Sequence, residues 1–230
     1  ELAGQDNLVW KAAEALRGIT GRDLGVKIRL QKGIPASMGL GGGSSDAAAS
    51  LTGINAFLDL GLDASELQEA AAALGSDVPF FLKGGTCLGS GRGEIITQLP
   101  PMKGQELILL CPEEPTATGA GKTAMMYSML TTDLFSDGSR TAALAGALQA
   151  GESPDPHQYN VFESVAPRAF SGYSQARHDF VEAGATGVHL PGAGPAMYSF
   201  VPSKEEGQRT LNSLKNLGLR AYGIRTLSGA

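Results

Sequence analysis

IPASMGLGGGSSDAAAS, residues 34–50, sets bare backbone directly against an alanine-rich run. Glycine loses more conformational freedom on folding than any other residue, so Gly39, Gly41, Gly42 and Gly43 belong where the chain must turn sharply or let another molecule approach closely. From Ser44 onward the spacing Ala47, Leu51, Ile54, Leu58 predicts one buried helix face. A glycine loop that runs into a helix start brings several free N–H groups together with a partial positive charge of roughly half a unit, which makes an anion site. The hydroxyls of Ser44 and Ser45 can cap this helix, reach a phosphate oxygen or meet a magnesium-bound water, and Asp46 offers a metal contact. The plain alternative is a capped helix after a flexible loop.

On the N-terminal side, Asp6 can cap a helix with the stripe Val9, Trp10, Ala13, Leu16, stopped by Gly18, and GVKIRLQKGIP then alternates like a strand. On the C-terminal side, Ser65 opens a second helix with Leu67, Ala70, Ala71 and Leu74 inward and Gly75 as its end. DVPFFLKGGTCLGSGRGEIITQLP reads as short strands joined by tight glycine turns. Pro100 and Pro101 mark a boundary, which predicts domains at 1–101 and 102–230. The second half alternates strand and helix. ELILLCP is a buried strand, a polar loop reaches Thr123, and a helix covers Met125 to Leu130. One alanine-rich helix lies within 131–156, and helical pieces split by Gly172 run from Tyr159 to Gly184. GVHLPGAGPAMYSFVP gives two strands around a glycine turn, followed by a helix from Glu205 to Leu217 and a strand from Leu219 to Thr226.

Composition narrows the function classes. With 230 residues the chain supports a full core in one or two domains, and a net charge of −5 gives no basic face for nucleic acid. A small-molecule partner fits better. No apolar run approaches the roughly twenty residues of a membrane span, and the polar opening is no signal peptide, so a cytoplasmic, reducing setting is expected. Cys87 and Cys111 read as small buried hydrophobes rather than as a disulfide or metal pair. His157, His178 and His189 lack metal-ligand spacing and read as loop or surface residues, so no protein metal site is expected.

The glycine string is neither of the common nucleotide signatures. It lacks the lysine of a P-loop and precedes no acidic residue at Rossmann distance. TATGAGKT ends like a P-loop, but Thr116 stands where the first glycine belongs, so Lys122 and Thr123 need another explanation. IPASMGLGGGSSDAAAS instead resembles the phosphate motif of the GHMP kinases, small-molecule kinases that use ATP. ALGSDVPFFLKGGT, with GRGE after it, resembles the branch of that family acting on diphosphocytidyl-methylerythritol in the non-mevalonate route to isoprenoids. The likeness runs from DNLVWKAAEAL to about Phe200 and is strongest over residues 33–94.

That resemblance implies an α+β protein of two domains, the first like ribosomal S5 domain 2 and the second ferredoxin-like. It implies Mg-ATP held by Pro35, Gly39, Leu40, Gly41, Gly42, Gly43, Ser44, Ser45 and Asp46, and transfer of the γ-phosphoryl to the erythritol 2-hydroxyl. Asp77 matches the catalytic carboxylate, against the alternative of a turn-capping residue. Thr123 and Tyr127, four apart on one helix face, match the substrate-contacting pair, with stacking of cytosine on Tyr127 set against simple packing. Gly192 and Gly194 match a supporting glycine turn, although the family more often has Gly-Ser-Gly there, and Asn160 and Glu163 match a structural element that caps the following helix. Family members open with a strand carrying Lys and Asn and then DGYH-like residues that hold substrate; this sequence has no such stretch and no initial Met, which predicts residues upstream of Glu1. Two alternatives stay open: a homoserine- or mevalonate-type kinase, and a relative that binds nucleotide without turning it over.

Overall fold

The computed structural model describes residues 4–112 and 120–227. They fall into two compact units, 4–34 with 41–99, and 35–40 with 100–112 and 120–227.

The first unit is mainly helical. Helix α1 (Leu8–Thr20) is capped by Asn7, whose side chain accepts from the Val9 N–H at 2.9 Å, and it ends at Gly21 rather than at the expected Gly18. Asn7 takes the place expected of Asp6 because the extended cap residue directly precedes the first helical one. Helix α2 (Gly42–Phe57) begins two residues before the expected Ser44, and α3 (Ala64–Leu74) opens on a capping box between Asp63 and Glu66. Val78–Lys83 forms a short helix, α4, where the sequence suggested strand; Pro79 sits in its first turn, where a missing N–H is harmless. Strands β1 (Cys87–Ser90) and β2 (Ile95–Gln98) pair as an antiparallel hairpin around the Gly91–Gly93 turn. Ala12 and Leu16 of α1, Ala47, Ala48, Leu51 and Ile54 of α2, Ala70 and Ala71 of α3 and Val78 of α4 make the core. Small alanines let these helix axes approach, and each buried leucine or isoleucine adds about 1.5–3 kcal/mol.

Residues 25–35 do not form the expected strand. A strand needs a neighbour's ladder, and among the described residues none pairs with this segment. It runs beside α1 instead, and the two line a groove of about 500 Å³ with Trp10, Val26 and Ile28 in its wall. Trp10, expected inward, is 49 % exposed there.

The second unit is built on a three-stranded antiparallel sheet in the order β4-β3-β5, with β3 (Glu106–Leu110), β4 (Met197–Phe200) and β5 (Ala221–Arg225). The central place of β3 explains its unbroken apolar run, because both of its faces are covered. Ile108 and Leu110 face a core made with Phe162, Val165, Tyr173, Phe180, Met197 and Leu214. Leu109 and Cys111 point the other way and pack with Met38 and Ala196, so the sheet's second face seats the stretch 35–40. Around the sheet lie α5 (Ala120–Ser128), α6 (Ser139–Gln149), α7 (Ala166–Ala169), α8 (Tyr173–Glu182) and α9 (Lys204–Asn216). Helix α5 starts five residues before the expected Met125, and most of the loop expected before it lies outside the described residues. The first strand expected in 187–202 reduces to one bridge, His189 with Tyr198. Cys111 is buried as expected, whereas Cys87 is only partly so. No described helix is long and apolar enough to cross a membrane.

Candidate active site

The glycine stretch enters through Ser37, which stands at φ 58, a left-handed conformation uncommon outside glycine. Met38, 1 % exposed against β3, accepts at its carbonyl from the Ala196 N–H at 3.3 Å. Gly39 follows at φ 78, and a Cβ there would fall 2.3 Å from the Pro191 carbonyl oxygen and 2.7 Å from the Gly194 nitrogen. Only a bare Cα fits that backbone contact. From the opposing turn, a Cβ on Gly192 would lie 2.9 Å from the Gly39 carbonyl oxygen.

The 190–194 turn is braced from behind. Asn160 donates through Nδ2 to the carbonyls of Leu190 at 2.7 Å and Gly192 at 2.8 Å, while its Oδ1 caps the 3-10 turn Val161–Ser164 by accepting from the Phe162 N–H. Glu163 does not cap; its Oε1 accepts from the Leu190 N–H at 2.9 Å. His189 is not a surface residue. Its imidazole, 17 % exposed, lies 3.4 Å from Asp155 Oδ1 and 3.9 Å from Glu163 Oε1, with its ring tilted against that of Tyr198 at 5.5 Å between centroids. Lys122 is 4 % exposed and donates to the carbonyls of Ser37, at 2.8 Å, and Gly194. Burial pulls its pKa down from 10.5 to about 8.

In the first unit, Gly41 at φ 66 precedes α2 without any side-chain cap, and the helix's first turn carries no acidic residue. The Ser45 hydroxyl donates to the Gly42 carbonyl at 2.9 Å, so it leaves the first-turn N–H groups uncovered. Those donors and the positive end of the helix dipole are what an anion needs. Asp46, expected as a metal contact, is ion-paired with Lys32 in a half-buried position. A Cβ on Gly42 would meet Lys32 Nζ at 3.3 Å, which places that ammonium beside the first turn of α2. Asp77 occupies the N-cap position of α4 but makes no capping hydrogen bond, and it is exposed. Buried Val78 and Pro79 anchor the turn that carries it.

Thr123 and Tyr127 lie one turn apart on α5, both exposed, while Lys122 and Met126 take the inward side. The Tyr127 ring meets Phe162 edge-on, with centroids 5.0 Å apart, and is 62 % exposed. Sequence reasoning left out Lys32 and, having separated Lys122 from a P-loop, gave it no role. Lys122 precedes Met126 by four residues, and that i,i+4 spacing on a helix was the available sign that its side chain turns inward.

A model of the GHMP kinases N terminal domain matches residues 7–85. A 4-diphosphocytidyl-2-C-methyl-D-erythritol kinase from Dehalococcoides mccartyi is 38% identical over 221 residues, 96% of this chain and 77% of that protein. The chain belongs to the GHMP kinase family. A crystal structure of 4-(cytidine 5'-diphospho)-2C-methyl-D-erythritol kinase, 30% identical, superposes with a TM-score of 0.81 over 100% of this chain and 81% of that one. The GHMP kinase fold extends further: a homoserine kinase from Cytophaga hutchinsonii, 18% identical, gives a TM-score of 0.74 over 98% of this chain and 77% of that one, a likeness of fold alone. Membership in this kinase family carries ATP as the phosphoryl donor. Among the described residues no three His, Cys, Asp or Glu side chains converge to hold a metal.

Proposed function

We propose that this chain transfers the γ-phosphoryl group of Mg-ATP to the 2-hydroxyl of 4-diphosphocytidyl-2-C-methyl-D-erythritol. The observation that carries the reading is the glycine stretch itself: left-handed Gly39 and Gly41 lead into a helix start whose donors no side chain covers. Phosphoryl transfer needs positioning and charge stabilisation more than covalent chemistry, and exposed helix-start N–H groups supply both. In this reading Gly39 to Ser45 hold the triphosphate, with Pro35 and Leu40 shaping the loop and the Gly192–Gly194 turn supporting it. Lys32 adds positive charge beside the first turn. A Mg²⁺ carried in with the nucleotide would find the Ser44 hydroxyl near the phosphates, with Asp46, tied to Lys32, acting on it through water.

Asp77 is the candidate general base at the acceptor hydroxyl. Its freedom from capping supports this, since a carboxylate kept only for its turn would bond the N–H groups that follow it. Thr123 and the exposed Tyr127 ring are the candidate acceptor contacts, the ring offering a stacking face to a flat base.

The test is ADP release by the 230-residue chain with Mg-ATP, with and without the cytidine-linked acceptor, beside Asp77→Asn. Acceptor-dependent release that falls by about 10²–10⁴-fold in the variant, with ATP binding retained, is expected. Equal release by both proteins removes Asp77 from the mechanism, and ATP binding without any release favours a nucleotide-binding relative.

A further inference from the structure

Lys122 is a buried cation to which the phosphate-loop reading assigns no role. A residue on the inward side of α5 needs only to be apolar, as Met126 is one turn later. Burying an ammonium is costly unless its protons find partners. Among the described residues no carboxylate ion-pairs with Lys122. Its partners are two backbone carbonyls, and they belong to different segments: Ser37 on the entry to the glycine stretch, and Gly194 on the opposing turn. Ser37 is held in the left-handed region, which a serine keeps only when its surroundings impose it. Two residues further on, Gly39 touches the same opposing turn through bare backbone, a contact with no side chain to lock it.

We propose that Lys122 is a positioning residue for phosphate binding: its ammonium clamps the Ser37 carbonyl to the Gly194 carbonyl and so fixes the backbone through which the chain enters the glycine loop. The proposal rests on the phosphate-binding reading above. An ammonium suits the task because it directs several charge-assisted bonds from one point, each stronger than its neutral counterpart. Methionine of similar length fills the same space without any donor.

The variants are Lys122→Met, Ser37→Gly and the pair, measured beside the unaltered chain. Two readouts separate the clamp from the reading it rests on. The first, hydrogen exchange over residues 36–40 and 191–197, needs no nucleotide; Lys122→Met is expected to speed it at least about tenfold, the loss of one charge-assisted bond's worth of protection. Unchanged exchange overturns the clamp. The second is the steady-state KM for Mg-ATP, expected to rise about tenfold or more in Lys122→Met while the acceptor KM stays within about twofold. Ser37→Gly accepts a positive φ without help and is expected to restore part of the ATP KM in the Lys122→Met background. Equal shifts in both KM values, or no restoration by Ser37→Gly, reduce Lys122 to a general stabiliser and overturn the positioning role. An unaltered chain that binds no ATP at all removes the phosphate-binding reading and the positioning role with it, while the exchange data still decide the clamp. If Lys122→Met does not fold, Lys122→Gln, which keeps two donors, takes its place; failure of both to fold assigns the residue to stability and overturns the proposal.

Discussion

At 4 % exposure, the Lys122 side chain is protonated in the unfolded chain up to about pH 10.5 but in the folded chain only to about pH 8, because burial disfavours its charge. Below pH 8 both states hold the proton, and the cost of burying the charge is present in full. Between pH 8 and 10.5 the unfolded state binds more protons, so this residue's contribution to stability becomes more favourable as pH rises, by at most about 1.4 kcal/mol per unit. Tyr173 and Tyr198, pushed up to about 12 mainly by burial, act in the opposite sense once pH passes 10, but they do so equally in a Lys122→Met variant. Urea unfolding of both proteins at pH 7 and pH 10 therefore isolates the lysine. The unaltered chain is expected to gain on the variant between the two pH values, and a constant difference contradicts a depressed pKa. The string GSDVPFF singled out Asp77 as a candidate in the sequence, and the structure adds that it makes no capping hydrogen bond. Nothing in the letters around Lys122 marked its carbonyl partners, because those lie 85 and 72 residues away along the chain.

Helix α2 sets the loop's glycines apart from one another by their reasons. Gly39 is fixed by sterics, since any Cβ at its φ of 78 collides with the backbone of the Pro191–Gly194 turn. Gly43 is different: it lies inside α2, is exposed, and a Cβ on it would meet only the Leu8 side chain at an ordinary 3.5 Å. Alanine there should raise stability by a few tenths to about 1 kcal/mol through helix propensity. In the phosphate-binding reading, the open space at Gly43 is where a phosphate would approach. Gly43→Ala is thus expected to melt higher and yet bind ATP more weakly, read by thermal unfolding and nucleotide titration on one preparation. Unchanged ATP affinity would show that the first turn of α2 is not approached by phosphate. Element types were legible where the apolar pattern was clear, as in α1, α3, α9 and β3, although the ends of α1 fall at Asn7 and Gly21 rather than at the expected Asp6 and Gly18. They were misread at 78–83, where Phe-Phe suggested strand while Pro79 and a buried Val78 favour a helical turn, and at 25–35, where alternation is present but no strand pairs with it among the described residues.

On the scale of the whole chain, Pro100 and Pro101 suggested a boundary in the sequence, since a pair of prolines ends both kinds of regular structure, and the long run of the second unit takes up at Pro100. The return of residues 35–40 to the second unit was not legible. It depends on Met38 finding the far face of β3 beside Leu109 and Cys111, a contact between segments about seventy residues apart that local pattern cannot signal. Among the described residues, the first unit packs an apolar cluster of its own and so does the second. A chain with two cores need not unfold in one step, so a single melting temperature is a poor measure of either. Hydrogen exchange resolves them. Phe180 on α8 is fully buried in the second cluster with Met197 and Leu214, and its truncation to alanine removes a ring the surroundings cannot replace. Phe180→Ala should cost about 3–5 kcal/mol. That loss is expected to appear as faster exchange of the β3 and α8 amides, since both elements contribute side chains to this cluster. If protection of β3 survives the substitution, the cluster does not hold the sheet, and the support for the Gly192–Gly194 turn rests instead on Asn160, Glu163, Lys122 and the backbone contact with Met38 and Gly39.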